Sequence, residues 1–179
     1  MSSKNAVESL LNRVRELEPL IREHAPKSEE SRRLSPELVD AYRRAGFYAM
    51  YRPEAWGGAG LDPISFLKVV EALARIDAAS GWNVGNAASF DCFLVPLFSE
   101  EGAREMSDGS HVTHAGAVNP PGRGIPVDGG YRVTARTPFV SGCHEASWCT
   151  LGSTSSTETS LEAQRRSRSS TSRPCPGTR

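Results

Sequence analysis

The sequence predicts an α+β chain in which helices come first and strands follow. Three observations carry this reading. Apolar residues recur at three- and four-residue spacing in separate segments, Val7 to Ile21 and Ile64 to Leu73 being the clearest, the period of a helical face. Beyond Gly109 the period shortens to two, with Tyr131, Val133 and Ala135 alternating with Arg132, Thr134 and Arg136, as a half-solvated strand requires. Helices are not interleaved with strands, which excludes a succession of βαβ units. The expected organisation is a helical N-terminal domain over residues 1–110, an incomplete β domain over 111–151, and a Ser/Thr/Arg-rich tail over 152–179.

Each element follows from local chemistry. Val7, Leu10, Leu11, Val14, Leu17 and Ile21 form one face, opposite Arg13, Arg15, Glu16 and Arg22, predicting a helix over about 4–24. Pro19 removes a backbone donor inside it, so a kink or an early end is expected there. A second helix is punctuated by Ser35 as N-cap, Pro36 in the first turn, Glu37 at the positive end, Arg43 and Arg44 at the negative end, and Gly46 beyond. Its buried face is Leu38, Val39 and Tyr42.

Phe47 to Leu61, with Pro53 and the run Trp56-Gly57-Gly58-Ala59-Gly60, reads as a long ordered loop. Asp62-Pro63 restarts a helix, continued by Ile64, Leu67, Val70, Leu73, Ala74 and Asp77. Ala78 to Ala88 is dominated by Ala, Ser, Gly and Asn, which suits either tight helix packing or a wall beside a ligand. Ser99-Glu100-Glu101 caps a short helix to about Met106.

Val112, His114 and Ala115 to Val118 predict a first strand. A turn at Val127 to Tyr131 leads into the next, and Phe139 to Gly142 and Ala146 to Leu151 are expected to add two more. Residues 151–179 hold 8 Ser, 5 Thr and 5 Arg and only four hydrophobic residues. Such a segment buries too little apolar surface to offset its ordering entropy, so disorder is expected. Two other readings stand beside it: an Arg/Ser-rich segment that touches RNA or is phosphorylated, and a change of reading frame near residue 152.

The formal net charge of zero, 21 basic against 21 acidic residues, argues against a nucleic-acid footprint or a polybasic membrane surface. It is a sum of unlike parts, since residues 1–110 carry 13 basic and 17 acidic side chains and residues 151–179 carry 5 and 2. No apolar run reaches the roughly 18–20 residues of a membrane span, and a soluble cytoplasmic protein is expected. Four thinly spread cysteines predict reduced thiols.

Metal ligation is tested on His111, His114, Cys143, His144 and Cys149. Only His111 and His114 have ligand-pair spacing, and on a strand an offset of three sends them to opposite faces, so no metal site is expected. Cys143 has no assignable partner base, and Cys92, Cys143 and Cys149 are read as buried or half-buried thiols. The glycine run at 57–60 lacks the preceding strand and following Lys-Ser/Thr of a phosphate cradle. Two segments, 115–122 and 136–142, offer small side chains, exposed amides and a few hydroxyl or amide groups. They suit the rim of a flat heteroaromatic ring or, equally, ordinary edge turns.

The loop Arg52-Pro53-Glu54-Ala55-Trp56-Gly57-Gly58-Ala59-Gly60-Leu61, the strand Gly129 to Thr134, and Phe139-x-Ser141-Gly142 followed by Ala146-x-Trp148 resemble the acyl-CoA dehydrogenase superfamily. More narrowly they resemble its flavin-dependent two-component monooxygenase branch. The resemblance covers about residues 5–152. Dehydrogenases proper tend to show Glu-Pro and then Gly-Ser-Asp where this chain has Asn119-Pro120-Pro121-Gly122, and Thr-Asn in place of Ser141-Gly142. The chain also departs from the branch, with Thr137 where a Trp often follows the Arg matched by Arg136, and with His144-Glu145 in a shifted position.

The resemblance implies an all-helical N-terminal domain of acyl-CoA dehydrogenase type followed by the start of a middle β-barrel domain. It implies flavin contacts, to FMN or FAD, at Ala117, Asn119, Pro120, Phe139, Ser141 and Gly142, with Trp82 and Asn83 bordering a substrate cavity. Family members are longer, homotetrameric, and complete the flavin site and supply the catalytic acid or base from a C-terminal helical bundle. No catalytic residue is therefore assigned here, and an N-terminal fragment that binds flavin weakly and turns over poorly is expected. The leading function is oxygenation of an aromatic or related small molecule with reduced flavin from a separate reductase. The alternatives are FAD-dependent α,β-dehydrogenation of an acyl-CoA, and a non-enzymatic helical interaction domain with an Arg/Ser tail.

Overall fold

Capping residues set the helix limits in the computed structural model, which describes residues 3–107 and 112–155. Ser35 is extended and its hydroxyl accepts from Leu38 N at 3.3 Å, Pro36 occupies the first helical position, and Gly46 closes the helix at φ 77°. These features bound α2, Pro36–Ala45. Asp62 caps α3, Pro63–Ile76, by accepting from Ile64 N and Ser65 N, each at 3.0 Å. Both ends use a side-chain oxygen to satisfy amides that have no partner within the helix.

Three helices differ from expectation in instructive ways. α1 runs Ser3–Ser31 straight through Pro19 and Pro26. Two lost backbone bonds are tolerated because Leu10, Val14, Ile21, His24 and Ser28 are all buried along one continuous face, and tertiary burial outweighs local propensity. Asp77 does not continue α3. Its extended backbone, φ −149°, makes it the N-cap of α4, Ala78–Phe93, with its carboxylate accepting from Ser80 N at 2.8 Å and Ser80 Oγ at 2.6 Å. In α3 the buried residues are Phe66, Val69 and Leu73, whereas Ile64 and Leu67 face outward.

The small residues of α4 serve close helix packing. A Cβ on Gly81 would stand 2.5 Å from the Ala74 Cβ, and one on Gly85 would stand 3.1 Å from Val70, so α3 and α4 approach as they do only because these positions are glycine. α5, Glu100–Ser107, completes the helices. The loop between α2 and α3 is ordered as read. Ala59 N, Gly60 N and Leu61 N donate to the carbonyls of Ala49, Arg52 and Met50 at 2.9–3.0 Å, folding the loop back on itself. Phe47, Tyr48 and Met50 join Leu38, Tyr42, Leu73 and Val84 in the core.

Three strands form one sheet in the order β2-β1-β3. β1, His114–Val127, is longer than its sequence suggests and includes Asn119 to Gly122. It pairs antiparallel with β2, Gly130–Thr134, from Arg123↔Thr134 to Val127↔Gly130, leaving Asp128-Gly129 as a two-residue turn. β3 spans Trp148–Ser155, so ordered strand extends past residue 151. No strand forms over 139–142. Phe139 and Gly142 have φ 59° and 77°, and Cys143 N and Glu145 N close successive turns onto Val140 O and Gly142 O; left-handed residues cannot sustain a ladder. Residues 156–179, and with them the readings offered for most of the tail, lie outside the described chain.

The chain divides into two compact units. The first takes the described residues up to Gly116 together with Val140–Thr150, and the second takes Ala117–Phe139 with residues 151–155.

Candidate functional site

Within the first unit, residues 140–150 are fixed to the helices by a few specific bonds. Arg43 on α2 donates to Glu145 O at 2.8 Å and Thr113 Oγ1 donates to the same carbonyl at 2.6 Å. Ser147 N donates to Thr113 O at 2.8 Å. The turn so held brings Ser141 and Gly142 against α4. Trp82 Nε1 donates to Ser141 Oγ at 3.0 Å, and a Cβ on Gly142 would meet the Asn83 side-chain amide at 3.2 Å. Four of the residues singled out in the sequence therefore form one cluster. Trp82 is 66% exposed, and Asn83, Ser141 and Gly142 are partly buried.

The remaining four belong to the second unit. Ala117 is partly buried and Asn119 and Pro120 are exposed on β1. The peptide bond between Asn119 and Pro120 is cis. Phe139 is 94% exposed at positive φ.

A buried charged group was not foreseen. Arg52 Nη2 lies 3.2 Å from Asp91 Oδ2, and His114 Nε2 lies 3.5 Å from Asp91 Oδ1, with all three side chains at most 1% exposed. Arg52 also donates to Val112 O at 3.4 Å, and the His114 ring stacks on Phe90 with centroids 6.0 Å apart. The group ties the loop, the end of α4 and the start of β1 together. Its sequence signal is Asp91, a lone charge in the apolar run Phe90 to Leu97.

Two phenols buried in the helical core are shifted. Burial pushes the Tyr42 hydroxyl up to about 12, opposed by its hydrogen bond to Ser80 and assisted by the Asp77 charge. Burial raises Tyr48 further in the same direction. Cys92, Cys143 and Cys149 are free and exposed, a correction to the expectation of buried thiols: Cys92 is on the outer side of α4, Cys143 is in a turn, and Cys149 is on an uncovered strand face. Among the described residues no three His, Cys, Asp or Glu side chains stand close enough to hold a metal ion. His111 lies outside them. No helix among them is long and apolar enough to cross a membrane.

A helical domain whose last helix leads into a three-stranded sheet, with polar groups gathered where α4 meets the 140–150 turn, is a known plan. The family model described as acyl-CoA dehydrogenase, N-terminal domain, matches residues 7–105, and the chain belongs to that family. It is 32% identical over 143 residues to the oxygenase subunit HsaA of a flavin-dependent monooxygenase from Rhodococcus jostii, matching 79% of this chain and 37% of the relative. It is likewise 32% identical over 143 residues to the oxygenase component of an FADH2-dependent resorcinol hydroxylase from Rhizobium sp., matching 78% of this chain and 34% of the relative. The crystal structure of the HsaA monooxygenase from M. tuberculosis superposes with a TM-score of 0.77 at 31% identity, covering 85% of this chain and 42% of that one. The chain thus spans little more than a third of the curated relatives it matches.

Proposed function

We propose that this chain carries the N-terminal part of an oxygenase component that uses reduced flavin and molecular oxygen to hydroxylate an aromatic or related small molecule. The extent of the match to the HsaA oxygenase subunit carries this reading. Covering 79% of the chain, it runs beyond the helical residues 7–105 into the strand-bearing part.

The residues present suit a flavin in kind. When bound, reduced flavin supplies the activation of oxygen. In the first unit, the Ser141 hydroxyl offers a hydrogen bond to the edge of a heteroaromatic ring. Gly142, at φ 77°, permits backbone to approach without a side chain in the way. In the second unit we assign flavin contacts to Ala117, Asn119, Pro120 and Phe139, the last presenting an uncovered apolar ring. Asn83 and Trp82 are assigned to the border of the substrate cavity. A separate flavin reductase, homotetrameric assembly and a cytoplasmic location belong to the same reading.

Acyl-CoA dehydrogenation is the second reading, favoured by the description of the matching family model. It requires a carboxylate base, and the candidates are poor. Glu71 is held by Arg75 at 2.7 Å on the surface of α3, and Glu54 sits in the α2–α3 loop.

Anaerobic titration of the purified chain with reduced FMN and reduced FAD tests the proposal. Saturable, weak binding of one of them is expected, and absence of binding to both overturns it. Bleaching of bound oxidised flavin by an acyl-CoA, without oxygen or reductase, would establish the dehydrogenase instead.

A further inference from the structure

Trp82 and Ser141 are 59 positions apart, yet the indole Nε1 donates to the serine oxygen at 3.0 Å. An indole N–H donates and never accepts, whereas a hydroxyl does both. The direction of this bond is therefore fixed by chemistry: Ser141 Oγ accepts, and its own proton must be directed elsewhere. No other hydrogen bond to the Ser141 hydroxyl occurs among the described residues. The serine is held from two sides, by the indole and by the turn that Arg43 and Thr113 pin through Glu145 O.

We infer that Trp82 is a positioning residue whose N–H occupies one lone pair of the Ser141 hydroxyl and so orients the hydroxyl proton toward an acceptor atom on the rim of the ligand ring. The inference rests on the flavin reading above, and it gives Trp82 a role through Ser141 in place of one as a wall of the substrate cavity. Ser141 without the indole donates or accepts indifferently, and part of the bound population then presents the wrong polarity to the ring. The cost is that of a misdirected hydrogen bond.

Trp82 is two-thirds exposed, so Trp82→Phe keeps the ring, removes only the donor and leaves the fold intact. In the ligand-free protein, the Trp82 indole N–H resonance is expected to move in Ser141→Ala and to stay in place in Ser141→Thr, which retains an accepting hydroxyl. An unmoved resonance in Ser141→Ala overturns the inference whether or not flavin binds.

In anaerobic titrations with reduced FMN and FAD, Trp82→Phe and Ser141→Ala are each expected to weaken binding roughly threefold to tenfold, the range of one hydrogen bond. The double variant should bind no more weakly than Ser141→Ala. Equal losses from Trp82→Phe in the wild-type and Ser141→Ala backgrounds mean that the indole touches the ligand itself, and this overturns the inference, as does a Trp82→Phe variant that binds normally. If wild-type protein binds neither flavin, the proposed function falls and the donor assignment with it, while a responsive indole resonance would still establish the Trp82–Ser141 bond.

Discussion

Asp91 faces the Arg52 guanidinium at 3.2 Å, with neither side chain more than 1% exposed. The pair joins the α2–α3 loop to the end of α4, and His114 brings the first residue of β1 to the other carboxylate oxygen. Charges removed from water this completely need compensating partners in the fold. Asp91→Ala takes one buried counter-charge away from the guanidinium and is expected to cost about 3 kcal/mol in urea denaturation. Replacing both partners with apolar residues, Arg52→Met with Asp91→Leu, should cost less than Asp91→Ala alone. A double variant less stable than the single one would show that Arg52 matters chiefly through its other contacts.

The two buried tyrosines, Tyr42 and Tyr48, differ in one respect that mutation exposes. Tyr42 donates to Ser80 Oγ at 2.8 Å, which donates in turn to Asp77 at 2.6 Å, whereas Tyr48 Oη is buried with no hydrogen-bond partner among the described residues. At neutral pH, Tyr42→Phe is expected to cost about 1 kcal/mol, while Tyr48→Phe should be neutral or stabilising by a similar amount.

The same burial makes stability fall at alkaline pH. Tyr42 ionises near 10 when unfolded and near 12 when folded, so between those values the unfolded chain has released a proton that the folded chain retains. Stability from this group is complete below pH 10 and is lost as pH rises toward 12, at up to about 1.4 kcal/mol per pH unit. Tyr48 adds a slope of the same sign. Chemical denaturation from pH 8 to 11 should show this decline, made shallower by Tyr42→Phe; an unchanged slope in that variant would remove Tyr42 as its source.

Adjacent glycines in the loop separate close approach from backbone conformation. A Cβ on Gly58 would stand 2.1 Å from Arg52 O and 2.4 Å from Arg52 Cβ, whereas Gly57, at φ 80°, has open space around it. Gly57→Ala should therefore cost only the left-handed penalty of about 1 kcal/mol. Gly58→Ala must displace backbone and should cost more than about 2 kcal/mol. Thermal melts of the two variants check the order, and equal losses would refute the close approach.

The helices were legible where their ends are written in side chains. Ser35, Pro36 and Gly46 bound α2, and Asp62-Pro63 opens α3, because caps act through bonds one to three residues away. What lay hidden depends on distant partners. Pro19 reads as a break, yet the buried face through Ile21 and Ser28 keeps α1 whole. Ser141 and Trp82 could each be singled out, but not their bond, which depends on Arg43 and Thr113 holding a turn more than thirty residues away in sequence. The small residues of α4 left packing and ligand wall equally open until Ala74 and Val70 were found against Gly81 and Gly85.

Phe139 offers a test in which stability and binding should move in opposite directions. It is 94% exposed and sits at φ 59°, a conformation that costs a residue with a Cβ about 1–2 kcal/mol, and its ring recovers little of this by burial. Phe139→Gly relieves the strain at some expense in backbone entropy, so a net gain of up to about 1 kcal/mol is expected from chemical denaturation. If the ring is held there to meet flavin, the same variant should bind reduced flavin more weakly than wild type. Strain maintained at an uncovered aromatic is what a ligand-binding role leaves behind. A variant that gains stability and binds flavin as tightly as wild type would remove Phe139 from the site.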